Sequence, residues 1–323
     1  MTPKLYLGPM TVNTVLAIRE LNLPIGLIPS RRQVEFDRGY TGLTTEELFT
    51  LTQDSLITLC RDHAGPQQGA KNDNGILSLE EDVKYMDIIH IDPWKIARSI
   101  QEGIEITTKL INYCLQLNPS QKFEVGTEQA IYEYSPEDLD TILAGLEESL
   151  VYDFKSIKFA CVQSGTGLDL PGRKNTRTFD SKKLSKFIEV CNKYEVKSKE
   201  HNGDYLVDNF GIATRFELGL DAINIAPELG QLETEYYLYK IGSNLDLFNK
   251  FYDICYNSRK WEKWVTREIS KHELILTCGH YIVNTPKFKQ EIKINFPEAD
   301  RDIQNNLKQL ITKMYTQAHG SKT

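Results

Sequence analysis

Ser55-Leu56-Ile57-Thr58-Leu59-Cys60-Arg61-Asp62-His63-Ala64-Gly65-Pro66 is the stretch on which the reading of this chain turns. Its first seven residues are mostly apolar and β-prone, the pattern of a buried strand. Asp62 and His63 stand at the C-terminal end of that strand, and Gly65-Pro66 stops it. Where strands alternate with helices, this end is the mouth of an α/β barrel, and polar residues placed there tend to be chemical. A loop-capping Asp beside a surface His would look the same on this pair alone, so the rest of the chain decides.

Working outward, strand-like and helix-like segments alternate. Lys4-Leu5-Tyr6-Leu7-Gly8 reads as a first strand and residues 12–22 as a helix with apolar Val12, Val15, Leu16, Ile18 and Leu21 on one face. Pro24-Ile25-Gly26-Leu27-Ile28-Pro29 is a second strand, followed by a polar loop and a helix start at Thr44-Thr45-Glu46-Glu47, with a hydroxyl cap and acids in its first turn. After the opening strand, Ser78-Leu79-Glu80-Glu81-Asp82 reads as the capped start of a short helix. Asp87-Ile88-Ile89-His90-Ile91-Asp92 is a fourth strand, and 94–117 a long helix. Strands at 123–128, 157–163, 195–201 and 221–226 follow, separated by helices at 135–151, 180–194 and 209–220, with a last helix from Gly230. Eight strand–helix units in some 240 residues match a (β/α)8 barrel. A doubly wound open sheet is the alternative, but no GxGxxG follows the first strand to favour a dinucleotide crevice. The barrel is expected over 1–244, and 245–323 as a mainly helical C-terminal extension packed on the barrel, over its mouth or at a subunit contact.

Composition narrows the class. The chain has 323 residues, 40% hydrophobic and 26% charged, enough to bury a full core. A net charge of -7 and a pI near 5.5 argue against a nucleic-acid partner, although a local basic pocket is compatible with them. The six cysteines form no CxxC pair, and Cys60 and Cys161 lie inside apolar strands, which fits reduced thiols in a cytoplasmic protein. No run reaches the length of a membrane span, and no membrane partner is expected.

Alternate residues of a strand share a face. Charged residues are costly between barrel and helices, so they are expected to point into the barrel near its mouth. This gathers Asp62 or His63, Asp92, Glu128, Gln163, Lys199, His201 and Asn224 around one cavity. Two imidazoles with a carboxylate and an amide form a candidate site for a divalent metal, against a hydrogen-bonded polar layer without one. His90 reads most simply as a satisfied buried imidazole, and His272, His280 and His319 as structural or surface residues. Lys199 is either a Schiff-base amine or the partner of Glu124 or Glu128 in an ion pair. Arg31, Arg32, Arg173, Lys174 and Arg177 lie in loops at the same end, where they could hold a phosphate.

The ordered motifs Gln33-Val34 with Gly39-Tyr40-Thr41-Gly42, Asp62-His63-Ala64-Gly65-Pro66, His90-Ile91-Asp92, Gly126-Thr127-Glu128, Val162-Gln163-Ser164-Gly165 and Glu200-His201-Asn202-Gly203-Asp204-Tyr205 carry a resemblance. Together they resemble the larger, so-called non-catalytic subunit of class II tagatose-bisphosphate aldolase, in a wider group that includes sugar 4-epimerases. The resemblance implies a zinc-dependent barrel acting on a sugar or sugar phosphate by aldolase chemistry. It equally admits a C4 epimerase working by the same retro-aldol chemistry, or a stabilising partner of a separate aldolase subunit, with homo-oligomers as a further expectation. It implies His63 and His201 as metal ligands with Gln163 beside them, and Asp62 and Glu128 as proton carriers. Arg31, Arg32, Gln33, Arg61, Asp92, Lys95, Lys199, Asn202 and Asp204 are the expected substrate-binding residues. The chain departs from the family pattern at Ser30-Arg31-Arg32, at Arg61 and at Pro93-Trp94-Lys95, which widens the expected substrates to larger phosphorylated or nucleotide-linked sugars.

Overall fold

The computed structural model describes residues 2–69, 72–151 and 153–320. Its strands are β1 (Leu5–Leu7), β2 (Gly26–Leu27), β3 (Thr58–Ala64), β4 (Ile88–Ile91), β5 (Lys122–Val125), β6 (Ile157–Val162), β7 (Gly167–Asp169), β8 (Lys174–Thr176), β9 (Lys197–Glu200) and β10 (Ala222–Ile225). Eight of them close into a parallel barrel in the order β1-β2-β3-β4-β5-β6-β9-β10, with β10 returning to β1. Helices surround this barrel, so the fold is the (β/α)8 barrel that the strand–helix alternation implies. The exceptions, β7 and β8, are three-residue strands paired antiparallel in the loop after β6. They are too short to show periodicity in the sequence.

Side-chain alternation sorts each strand into an inner and an outer face. Tyr6, Ile28, Cys60, Ile88, Phe159 and Ala222 form a small apolar cluster inside the barrel. Their neighbours Leu5, Leu7, Leu59, Ile89, Phe123, Val125, Ala160 and Ile223 face the helices in the main core. Gly26 has to be glycine because the Tyr6 ring fills the place of its side chain, a Cβ there lying 2.1 Å from Tyr6 Cδ1. Above the apolar floor come Glu124 and Lys199, both fully buried.

Two charged strand residues do not follow the expectation that charge faces inward. Arg61 is fully buried between β3 and the helices, where it donates to Asp82 (2.6 and 2.9 Å), to Thr45 and to the carbonyls of Pro29 and Val34. Glu200 likewise turns outward and pairs with buried Arg215 at 2.8 Å. In both places an opposite buried charge offsets the desolvation that would otherwise exclude them.

Helix starts also differ in detail. The helix Ile76–Tyr85 begins at Gly75, so Ser78 lies inside it and donates to Glu35 (2.9 Å) instead of capping. The long helix is shorter than its apolar run, Ile100–Leu117, because Ser99 caps it after a turn at 93–99. The caps at Thr44 and Ser135 are both full capping boxes.

Beyond the last barrel helix, Pro227–Ile241, come the helices Leu245–Ser258, Lys271–Cys278, Pro286–Glu291 and Ala299–His319. They share one continuous apolar core with the barrel. Ala299–His319 lies along Val12–Leu21 and Pro227–Ile241, tied by Gln304 to Asn13 (2.9 Å) and Lys4 to the Ala318 carbonyl (2.9 Å). Among the described residues no helix is long and apolar enough to cross a membrane.

At this seam Glu233 is 2% exposed and accepts hydrogen bonds from Thr11 (2.5 Å) and Asn13 (3.2 Å). Burial pushes its carboxyl up to about 7, against the opposing pull of those two donors. A carboxyl raised in the fold binds its proton more tightly folded than unfolded, so stability falls as pH rises from its ordinary 4.5 to about 7. Glu233→Gln is expected to remove this slope. Denaturant unfolding from about pH 4 to pH 8 should show the wild type losing up to about 3 kcal/mol relative to the variant. Parallel curves would contradict the assignment.

Candidate metal centre at the barrel mouth

Three imidazoles and one carboxylate meet where the inner faces of β3, β4 and β9 reach the mouth. Asp62 follows Cys60 on the inner face of β3. His63 would point outward by alternation, but the register with β4 shifts between Arg61 and Ala64, and His63 takes φ 51°. This bulge turns both members of the Asp-His pair to the cavity, where alternation alone offered one or the other. His90 comes from the inner face of β4, and His201 directly follows β9.

Asp62 Oδ1 lies 3.6 Å from His63 Nε2, 4.0 Å from His90 Nδ1 and 3.9 Å from His201 Nδ1. All four atoms fall within 4.8 Å of one another. The opposite nitrogen of each ring is held by an acceptor. Asp92 Oδ2 takes His63 Nδ1 at 2.6 Å, the Gly126 carbonyl takes His90 Nε2 at 2.9 Å, and Glu124 Oε1 takes His201 Nε2 at 2.8 Å. A carbonyl or carboxylate accepts only, so each outer nitrogen carries a proton; in the neutral ring each inner one presents a lone pair, and that of His90 takes the His63 amide N–H at 3.4 Å. Asp62 Oδ1 is itself buried without a hydrogen-bond partner.

These observations fit a divalent cation. An edge of a tetrahedron with metal bonds of about 2.1 Å is about 3.4 Å, close to the separations around Asp62. Ligating imidazoles usually give their other N–H to a carboxylate or carbonyl, as all three do here. Without a cation the cluster relies on protonation. Burial works against charge on His63, but Asp62 and Asp92 outweigh it and raise its pKa to about 10. Burial also opposes ionisation of Asp62, and the neighbouring imidazoles still hold it well below the usual carboxylate range.

A cavity of about 350 Å³ opens above the cluster. Of the residues expected to bind substrate, Arg31, Arg32, Gln33, Lys95, Asn202 and Asp204 line it, together with Asp62, His63, His201, Glu128 and Asn224. Arg31 is engaged with Glu35 and Asp73, and Gln33 spans Ser30 and Met10. Asp204 accepts from the amides of Ala226 and Glu228 at the start of the last barrel helix.

Four expected site residues lie off the cavity wall. Arg61 is on the outer face of β3, as described. Gln163 spends its amide on the Thr127 and Tyr132 carbonyls and the Tyr134 amide, bracing the loop that carries Glu128. Asp92 serves His63 and Thr127 (3.0 Å). Lys199 lies beneath the imidazoles with Nζ 2.6 Å from Glu124 and 3.8 Å from the Tyr6 ring centre, so the ion-pair alternative is the arrangement present. Burial works against its charge, and nearby Cys60 and Glu124 raise its pKa above the ordinary lysine value.

Two contributions were missed by sequence reasoning. His90 shares its face with Ile88 and Asp92, and that parity placed it inside the barrel. Lys263, Trp264 and Tyr281 reach the cavity from beyond the barrel, and no local sequence signal marks them.

No family model matches the sequence, and no curated protein matches it. Solved structures do match. A probable tagatose 6 phosphate kinase from Sinorhizobium meliloti 1021 is 16% identical with a TM-score of 0.72, covering 98% of this chain and 100% of that chain. Fructuronate-tagaturonate epimerase UxaE from Cohnella laeviribosi, in a glycerol complex, is 10% identical with a TM-score of 0.67, covering 98% and 81%. The YdjI aldolase from Escherichia coli K12 is 10% identical with a TM-score of 0.55, covering 99% and 94%. At these identities the likeness establishes the shared barrel fold.

Asp92→Asn and Glu124→Gln test the outer nitrogens. Each is expected to weaken zinc binding by about 10- to 100-fold in a competition titration, with the melting temperature followed alongside. Unchanged zinc affinity in both would refute the orienting role.

Proposed function

We propose that this chain is a divalent-metal-dependent enzyme acting on a sugar or sugar phosphate by aldolase-type carbon–carbon cleavage. The observation that carries the reading is the Asp62–His63–His90–His201 cluster, whose potential ligand atoms lie within 4.8 Å of one another at the floor of a barrel-mouth cavity. Three imidazoles and a carboxylate suit zinc. Bound there, the ion would supply Lewis-acid stabilisation to an oxygen that gains negative charge during cleavage.

The chain's own residues do the rest. Asp62 stands among the imidazoles, which leaves Glu128, on the cavity wall, to move protons. Glu128 takes the proton of a substrate hydroxyl and the adjacent carbon–carbon bond breaks. Its electron pair passes to the neighbouring carbonyl, an aldehyde departs, and the remaining enediolate regains a proton at carbon. Rebonding on the opposite face would make the same chemistry a C4 epimerisation. Structural likeness to both an aldolase and an epimerase supports the two outcomes of this one step.

The test is metal content and turnover of a panel of ketoses and ketose phosphates. Wild type should hold about one zinc per chain. His63→Ala with His201→Ala should lose both metal and activity, while Glu128→Gln keeps the metal and loses about 100- to 10,000-fold in rate. Full activity in the double variant, or in chelator, would overturn the metal role. Metal binding without turnover, with activity appearing only when a second aldolase subunit is added, would assign the stabilising role instead.

A further inference from the structure

The cavity has a second chemical pole besides the histidine cluster. Arg32, Lys95 and Lys263 line it and come from three separate parts of the chain: the loop after β2, the loop after β4 and the segment beyond the barrel. Among the described residues no carboxylate forms an ion pair with any of the three, whereas Arg31 next door is taken up by Glu35 and Asp73. Lys95 has only the neutral Gln68 side chain as a partner.

Lys263 is held in place by its surroundings. Its ammonium sits 4.2 Å from the ring centre of Trp264, and Trp264 Nε1 donates to Tyr281 Oη at 3.1 Å. Tyr281 packs edge-on against Tyr40 with centroids 4.8 Å apart, and the Tyr40 amide donates to the Arg32 carbonyl at 2.9 Å. Asn284 adds a hydrogen bond to the Thr41 carbonyl at 2.8 Å. The segment after the barrel is thereby clamped to the loop that carries Arg32. Cations without acidic partners repel one another unless an anion lies between them. At Lys263 desolvation by the surrounding protein comes first, and Arg32 and Lys95 add to it, lowering the pKa to about 8 against the opposing pull of Glu128 and Asp62. Its surface nevertheless remains exposed.

We propose that Lys263 is a specificity-determining residue, completing with Arg32 and Lys95 a subsite for a doubly charged oxyanion of the substrate. This rests on the reading of the cavity as a sugar site, and it makes residues beyond 244 part of that site. A phosphate ester satisfies three cations better than a carboxylate, because it offers three acceptor oxygens and nearly two charges.

The experiment is a calorimetric titration of inorganic phosphate, and separately of acetate, into the chelator-treated full chain. Working without metal separates this subsite from catalysis: retained phosphate binding in a protein that turns nothing over would sink the enzymatic reading alone. Wild type should bind phosphate at least tenfold more tightly than acetate. Lys263→Met and Lys95→Met should each weaken phosphate binding about tenfold or more, while Lys263→Arg stays near wild type. Melting temperatures confirm that the variants fold. Phosphate bound equally by wild type and Lys263→Met, or not bound by wild type, would overturn the proposal. Acetate bound as tightly as phosphate would overturn the doubly charged substrate and point to a sugar acid.

Discussion

Everything at the barrel mouth depends on how the outer nitrogens of three imidazoles are held. Asp92, the Gly126 carbonyl and Glu124 each accept one N–H, and each bond turns the opposite ring nitrogen toward Asp62. Those acceptors are not free side chains in a loop. Asp92 directly follows β4 and Glu124 sits within β5 opposite His90, so the sheet register itself fixes the aim of the rings. A rigid barrel thus sets the site to the accuracy that metal ligation or general-base chemistry requires.

Buried charge is the second theme. Lys199 sits beneath Glu124, Arg61 against Asp82, and Arg215 against Glu200, all within the described core. Such pairs add little net stability over apolar residues of the same volume, because desolvation offsets the attraction. Their value here is positional. Lys199 keeps Glu124 ionised below His201, and Arg61 ties the middle of β3 to the loop after β2 through the Pro29 and Val34 carbonyls.

Much of this was legible in the sequence. Alternation of strand and helix gave the (β/α)8 barrel, and period-two parity put Glu124, Lys199 and His201 on inner faces. Parity failed at His63 because a bulge, which depends on pairing with β4, resets the alternation. Arg61 and Glu200 face outward by that same alternation, and what makes charge tolerable there, pairing with Asp82 and Arg215, lies 21 and 15 residues away, beyond any local pattern. From the sequence His90 reads as a satisfied imidazole. It is satisfied, by the Gly126 carbonyl at Nε2 and the His63 amide at Nδ1, and only the three-dimensional neighbourhood reveals that Nδ1 also lies 4.0 Å from Asp62. Lys263 could not be assigned from sequence, since its place over the mouth follows from tertiary packing of Trp264 and Tyr281 against Tyr40.

The central claim is that Asp62, His63, His90 and His201 jointly bind one cation. Zinc-edge X-ray absorption on the loaded protein tests it directly. Three imidazole nitrogens with one carboxylate or additional oxygen, at about 2.0–2.2 Å, is the expected coordination. A spectrum of hexa-aqua-like zinc without the outer-shell scattering of imidazole rings would contradict it, and would leave the cluster a hydrogen-bonded polar layer.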